Sequence, residues 1–293
     1  MLQTYEAERR KVAQDLIEFD RNFSRMFSGR PATHANDREG VNMNDFRAAY
    51  EKGNEFTCGL SVDYGHSLVV AKRDFTKDPS TTLGAIKRVV SKPHLARDIK
   101  LGKRMPSYQV LNQADARPWQ LQETLKSNGR WRIVVFAGDV TVPSQMDRIQ
   151  VLGAQIAAVI QRFTPSFDPI DSRVEVITVH SAPRFEVELF DFPWIMRPYT
   201  DDLGWEYDRI FVDAPSYHAG DGNAYENYGV DAQRGCLVVL RPDQHVSFVG
   251  ELEDVEGVGH FFSGFMRVPD VRIKRPAQQT YASGPSKRCI AAV

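Results

Sequence analysis

The chain has few cysteines: Cys58, Cys236 and Cys289 lie far apart among its 293 residues. No CxxC pair occurs, which excludes a thioredoxin-type redox centre and a zinc knuckle. A disulfide framework is equally unsupported, so the usage indicates a reducing compartment. No apolar run approaches the ~20 residues that cross a bilayer, and the mixed-charge start MLQTYEAERR is not typical of a secretory signal. We therefore expect a cytoplasmic protein.

The chain also lacks an excess of either charge. It carries 37 basic and 38 acidic residues, a formal net charge of -1. No overall field would attract nucleic acid or an anionic membrane, so neither partner is expected. A GxGxxG turn, which lets backbone N–H groups approach a dinucleotide phosphate, is missing. HExxH and HxH spacings are missing too, so no metal site is expected.

The first sixty residues have helical periodicity. Apolar residues recur every three or four positions over residues 3–27, and a second helix is predicted over residues 44–52 with Asn44 as its cap. Residues 32–40 read as a polar loop between them. A two-helix unit with one broad apolar face cannot bury that face alone. We expect it to dock on the rest of the chain or on another chain.

Beyond residue 102 the pattern alternates between strands and helices. Strands are predicted over residues 131–137, 173–179 and 208–213, a hairpin over 236–240 and 245–252, and helices over 144–163, with Ser144 as cap, and 255–266. Residues 56–75 read as strand-like or irregular, and 74–82 as a loop. This order predicts an α/β domain with a central mixed sheet and flanking helices.

Several motifs in one order carry a family resemblance. They are RMPSY at 104–108, LNQADARPW at 111–119, GRWRIVVFAGD at 129–139, RIFVDAPSYHAGDGNAYENYGVD at 209–231 and RGCLVVL at 234–240. The chain resembles the C-terminal part of flavin-dependent phenol 2-monooxygenases. The resemblance implies a thioredoxin-like domain associated with dimer contacts. It also implies a parent enzyme that uses FAD and NADPH to hydroxylate phenols beside their hydroxyl group.

The resemblance divides the chain into four parts. Residues 1–60 would be a helical remnant of the flavin monooxygenase domain, 61–100 a linker, 101–270 the thioredoxin-like dimerisation domain and 271–293 a polar tail. The hypothesis is a truncated phenol-hydroxylase-like protein, inactive alone, with no cofactor of its own. Its expected partner is a second copy or a separately encoded FAD-binding half.

One polar-aromatic cluster offers an alternative function. Asp213, Tyr217, His218 and Asp221 could serve acid–base chemistry in a cofactor-independent isomerase, cyclase or lyase acting on an aromatic metabolite. The simpler interpretation, which we favour, is a structured loop in which Asp and Gly form turns. The aromatic stretch 190–199 is interpreted as a core plug or dimer contact rather than a pocket wall. The basic stretch 87–103, with His94, is interpreted as solvated surface.

Three further histidines are interpreted without a chemical role. His180 is expected to be a capped edge residue at a strand end, His66 to be solvated, and His260 to pack within the closing helix. None is assigned chemistry.

Overall fold

A computed structural model describes residues 2–29, 42–60, 62–72, 89–201, 204–218 and 220–269. Four predicted features lie outside these residues: the loops 32–40 and 74–82, Cys289 and the tail 271–293. No helix within the described ranges combines the length and apolarity needed to cross a membrane.

Six α-helices and nine strands make up the described chain. The helices are α1 (Leu2–Ser28), α2 (Met43–Thr57), α3 (Leu121–Thr124), α4 (Pro143–Phe163), α5 (Ala224–Tyr228) and α6 (Val255–Ser263). The strands are β1 (Gln109–Asn112), β2 (Pro118–Gln120), β3 (Trp131–Gly138), β4 (Val174–His180), β5 (Tyr199–Thr200), β6 (Gly204–Trp205), β7 (Ile210–Val212), β8 (Cys236–Leu240) and β9 (Val246–Gly250). Short 3₁₀ turns include Pro93–Leu95, Arg184–Glu186, Leu189–Asp191 and Trp194–Met196.

The main sheet has seven strands in the order β2-β1-β7-β4-β3-β8-β9. Strand β3 runs parallel to β4 and β4 parallel to β7, whereas β8 pairs antiparallel with both β3 and β9. The unit β3-α4-β4, followed by the β8–β9 hairpin and α6, is the arrangement expected of a thioredoxin-like domain. The predicted α/β architecture with a central mixed sheet is confirmed.

Alternate residues of β3 enter two separate cores. Ile133 and Val135 face α4 and α6, and Val134 and Phe136 face α3 and α5. Burial on both faces explains why β3 reads as a continuous apolar run rather than an alternating one. The sheet is therefore a central layer covered on both sides by helices.

Helix starts differ from the predicted caps. Helix α4 begins at Pro143 after Val142, with no side-chain cap, so the prediction of Ser144 as cap is wrong. Proline at the first position replaces the cap because its φ already suits a helix and its missing N–H leaves no orphan donor. Helix α2 is capped by Asn42, whose side chain accepts from Asn44 N–H, not by Asn44, and it runs five residues further than predicted.

The described parts of the predicted linker pack on the edge strand β9. Ala71 N donates to Ser247 O at 2.8 Å, and Lys92 N donates to Val249 O at 2.7 Å. Gly102 N donates to Val246 O at 2.8 Å. These bonds cover the exposed edge of the sheet, the part of a sheet that is otherwise prone to pair with other chains. Apart from an isolated bridge between Ser67 and Val70, residues 62–72 form no strand, so the coverage is irregular.

Candidate functional site

The predicted acid–base cluster is anchored by Asp213, which serves as a helix cap. Its two carboxylate oxygens accept from Ala224 N at 2.8 Å and Tyr225 N at 2.9 Å, at the start of α5. Such bonds satisfy the otherwise unpaired N–H groups of a first helical turn. Both oxygens are committed to α5, which indicates that the carboxylate orders the backbone.

The other predicted members lie on the surface. Tyr217 is 97% exposed and His218 is exposed beside it, with ring centroids 4.9 Å apart. Asp221 is exposed with a φ of +59°, the conformation of a turn residue. The four cavities described among these residues are not lined by any of these three residues or by Asp213. The structure thus places the cluster along a surface loop.

Tyr225 and Tyr228, which follow this cluster in the chain, are buried and have structural roles. Tyr225 Oη donates to Val179 O and accepts from Gly138 N, both at 2.7 Å. Burial raises the pKa of Tyr225 well above its usual value. Gly138 stands where a redox thioredoxin would begin its CxxC; its φ is +75°, and a Cβ there would lie 2.2 Å from Ala232 O. The position corresponding to a thioredoxin active site is therefore occupied by tightly packed backbone.

Thiol and metal chemistry find no support in the described residues. Cys236 is buried in β8, and burial raises the pKa of its thiol far above the ordinary range, so it stays protonated. No group of three His, Cys, Asp or Glu side chains converges within the described ranges in a way that could hold a metal ion.

The histidines fall into two environments. His180 ends β4 but is fully buried in the middle of the sheet, with Nε2 3.0 Å from Gln113 Oε1, so the prediction of an edge residue is wrong. Burial lowers the pKa of His180 to about 4. His66 and His94 are exposed, as predicted. His260 is exposed on α6, with Nδ1 3.9 Å from Glu256, so the prediction that it packs within the helix layer is also wrong.

A buried ion-pair network escaped the sequence analysis. Arg132 Nε lies 2.6 Å from Glu175 Oε1, and Arg209 lies 2.6 Å from Glu175 Oε2. Asp171 accepts from Arg130 at 2.7 Å and from Arg209 at 3.1 Å. Although burial alone would raise it, the neighbouring Arg209 and Arg132 hold the pKa of Glu175 below its ordinary value. The available signal was an Arg and a Glu inside otherwise apolar strands.

The β4–β7 connection divides its aromatic residues between core and surface. Phe192, Ile195 and Met196 are buried against α4 and the sheet, so part of this stretch plugs the core. Five large residues of the connection are exposed, and four of them, named here the aromatic surface, lie in its first part: Phe185, Phe190, Trp194 and Tyr199; the fifth is Tyr207.

Within the aromatic surface, rings and cations pack together. Trp205 lies edge-on to Phe190 and Tyr199, with ring centroids 5.2 and 5.0 Å apart. The Arg197 guanidinium lies 4.7 Å from the Phe190 ring centre and 5.0 Å from that of Trp205. Aromatic and arginine side chains are enriched in the buried centres of protein–protein interfaces. The aromatic surface therefore has the composition of such an interface.

Several known proteins are similar to this chain over most of its length. Residues 62–270 match the family "Phenol hydroxylase, C-terminal dimerisation domain". Phenol 2-monooxygenase fsqG of Aspergillus fumigatus is 35% identical over 269 residues, which cover 92% of this chain and 41% of that protein. The 3-hydroxybenzoate 4-monooxygenase of Comamonas testosteroni is 33% identical over 272 residues, covering 91% and 39%. The chain spans about two-fifths of the length of these relatives.

Solved structures that align with this chain include a flavin-dependent monooxygenase and a thioredoxin-like protein. The flavin-dependent monooxygenase PieE, in complex with FAD and substrate, aligns over 89% of this chain and 39% of its own, with 14% identity and a TM-score of 0.43. A thioredoxin-like protein from Bacteroides caccae aligns over 58% and 51%, with 11% identity and a TM-score of 0.38.

Proposed function

The chain belongs to the phenol hydroxylase family, whose C-terminal dimerisation domain it contains, and from that premise we propose that it is a self-association module. The partner is a second copy of the chain, held through the aromatic surface. The observation that carries this is the match of residues 62–270 to a dimerisation domain, together with exposed Phe185, Phe190, Trp194 and Tyr199 in the same domain. We further propose that the association takes place in the cytoplasm.

The test is the oligomeric state of the full chain measured over a wide concentration range by sedimentation velocity. We expect a concentration-dependent dimer. The double variant Phe185→Ser with Phe190→Ser removes two exposed rings and should raise the dimer dissociation constant at least about tenfold, the effect of losing ~1.4 kcal/mol. A single species of monomer mass at every concentration contradicts the proposal.

Tyr217→Ser provides the matched control. Tyr217 is at least as exposed as the rings of the aromatic surface but lies on the separate loop after β7. It should leave the dimer unchanged. An equal weakening by this variant would show that exposed aromatic residues in general, rather than the aromatic surface, hold the dimer together.

We propose in addition that this chain does not hold FAD or oxidise phenols by itself. The supporting observation is the missing glycine-rich phosphate turn, since a flavin diphosphate needs backbone N–H groups at a helix N-terminus. In the family, FAD and NADPH chemistry would belong to the part of the longer relatives that this chain does not cover. That region would be the parent enzyme's own FAD-binding domain or a separately encoded half.

The helical pair is defined as α1 and α2. We propose that its exposed face is the surface that contacts the FAD-binding region. The similarity to fsqG spans 269 residues and thus extends ahead of residue 62, where the dimerisation domain begins. Stoichiometric retention of yellow flavin by the purified chain contradicts this part. Concentration-dependent dimerisation of a colourless protein supports both parts together.

A further inference from the structure

A second feature of the molecule is a cleft beside the edge strand β9. Two segments, 63–72 and 90–103, form its walls, and a cavity of about 1030 Å³ lies between them. Backbone hydrogen bonds hold both walls to β9: Ala71 N to Ser247 O, Lys92 N to Val249 O and Gly102 N to Val246 O. Because its walls are bonded to the sheet, the cleft is a preformed part of the fold.

Charge in the cleft is segregated in a way that the near-neutral sequence does not suggest. The described lining residues include five permanent cations, one histidine and one carboxylate; they are Lys72, Lys92, Arg97, Lys100, Lys103, His94 and Asp63. A cleft lined by one sign of charge concentrates the electrostatic potential and attracts counter-ions. The basic stretch interpreted as solvated surface thus joins a second basic segment around one cavity.

Two of the five cations are already paired. Lys72 lies 2.6 Å from Asp63, and Lys92 lies 2.8 Å from Asp254 and 3.7 Å from Glu251. Arg97, Lys100 and Lys103 form no ion pair with any side chain in the described ranges, although the Lys100 ammonium donates to the Arg97 carbonyl. These three cations are therefore available to a bound anion.

The cleft also has an apolar lining. Ala71, Val90 and Pro93 are its accessible apolar residues, and Ile99 and Leu101 contribute buried side chains. Small-molecule sites typically combine such an apolar lining with a few charged groups and occupy roughly 300–1,000 Å³. Guanidinium and ammonium groups are the side chains that most often bind phosphate oxygens.

From this geometry we propose that the cleft binds a mononucleoside diphosphate, with the phosphates on Arg97, Lys100 and Lys103 and the planar base against Ala71, Val90 and Pro93. A diphosphate balances the three unpaired charges, which a single carboxylate would not. The charges surround one confined cavity instead of following a long stripe, which favours a small molecule over a nucleic acid backbone. The proposal does not depend on the proposed self-association.

Calorimetric titration of the full chain at low salt tests the proposal with three probes. Adenosine 5′-diphosphate carries both body and charge, inorganic pyrophosphate carries charge alone, and adenosine carries the body alone. We expect saturable one-to-one binding of the diphosphate, weaker binding of pyrophosphate and no measurable binding of adenosine. The double variant Lys100→Gln with Lys103→Gln should weaken diphosphate binding at least about tenfold.

Lys126→Gln is the matched control, since Lys126 lines a separate cavity at the other end of the sheet. It should bind the diphosphate as the unmodified chain does, and both variants should dimerise normally. Absence of saturable binding of the diphosphate would overturn the proposal. So would an equal loss in the Lys126 variant, equal affinity for pyrophosphate, or tighter binding of a single-stranded oligonucleotide that the lysine pair controls.

Discussion

The helical pair and the sheet domain of residues 62–269 hide their apolar residues very differently. In the sheet domain, both faces of the sheet are covered, and apolar side chains of every central strand are buried. In α1 and α2, Gly53 is the one buried residue among those whose burial is described. Leu16, Ile17, Phe27 and Met43 are more than half exposed. The sheet domain has a hydrophobic core, whereas α1 and α2 share only a narrow line of contact, named here the seam.

The seam consists of stacked rings and a few polar contacts. Phe19 stacks on Phe23 and Phe56, with ring centroids 5.2 and 5.4 Å apart. Glu8 joins the pair to the sheet domain through Arg241 at 2.8 Å, and the Lys11 ammonium donates to Asp63 O at 3.2 Å. Regions with few buried apolar contacts open at lower free energy than the core that they join. The sheet domain buries its apolar side chains by itself, whereas α1 and α2 leave apolar surface that only another partner could cover.

The largest expected effect comes from breaking the buried network of the sheet domain. Glu175→Ala leaves Arg132 and Arg209 buried without their shared carboxylate, and we expect a loss of about 3–5 kcal/mol in the free energy of unfolding. Urea unfolding followed by circular dichroism measures it. Glu253→Gln, which removes an exposed partner of Arg148, should change stability by less than about 0.5 kcal/mol. Equal losses would mean that the network contributes no more than a surface pair.

A second prediction concerns His180 and acid. Its pKa is about 4 in the fold against 6.5 for an unperturbed histidine, because burial disfavours the imidazolium. The unfolded chain therefore binds the proton more readily, so this contribution to stability is complete above pH 6.5 and is lost as the pH falls towards 4. At 1.36 kcal/mol per pKa unit it amounts to about 3 kcal/mol.

The measurement compares pH slopes of stability rather than absolute values. His180→Gln can still bond Gln113 and removes the titration, so stability should fall less steeply between pH 6.5 and 4 than in the unmodified chain. Exposed His218→Gln is the control and should keep the full slope. An unchanged slope in the His180 variant would show that carboxylates alone cause the acid sensitivity.

The sequence predicted some elements of the fold and not others. The strands β3, β4 and β8 and the helix α4 were predictable because each is a long run with a clear period, and periodicity reports local burial. The short strands β1 and β2 were not, since three or four residues carry too little pattern. The packing of 62–72 and 89–103 on β9 was also missed, because it rests on hydrogen bonds that span up to 178 residues in sequence, as from Ser247 Oγ to Val69 O. Such bonds leave no side-chain period.

The predicted acid–base cluster was hard to interpret from the sequence for a different reason. Asp213, His218 and Asp221 are close in sequence, and sequence proximity suggested a chemical cluster. The fold directs Asp213 inward to cap α5 and leaves His218 outside. Residue type and spacing could not identify Asp213 as a capping carboxylate, because it lies 11 residues before Ala224 in sequence and only the fold brings it to the start of α5. The domain boundaries and site assignments remain predictions.

A smaller effect is expected at the contact between the two regions. Glu8→Gln removes the charge from the Glu8–Arg241 pair, whose side chains are both mostly buried. A charged hydrogen bond of this kind contributes about 1.5–3 kcal/mol. Hydrogen exchange of α1 should therefore speed up at least about tenfold, while exchange in β3 stays unchanged. Glu6→Gln, which affects an exposed pair with Arg10, is the control. Faster exchange in β3 as well would mean that the two regions unfold as one.

The smallest effect is the most discriminating for the helical pair. Ile17 is 60% exposed on α1, and Ile177 is buried in β4. In the dilute chain, Ile17→Ala should change stability by less than about 0.5 kcal/mol, since alanine favours helix as much as the lost contacts favour isoleucine. Ile177→Ala should cost about 2–5 kcal/mol. A loss above about 1.5 kcal/mol at Ile17 would show that its face is covered in the chain itself. If that loss appears only at high protein concentration, a second copy covers the face, and the assignment of the helical pair to an FAD-binding region fails.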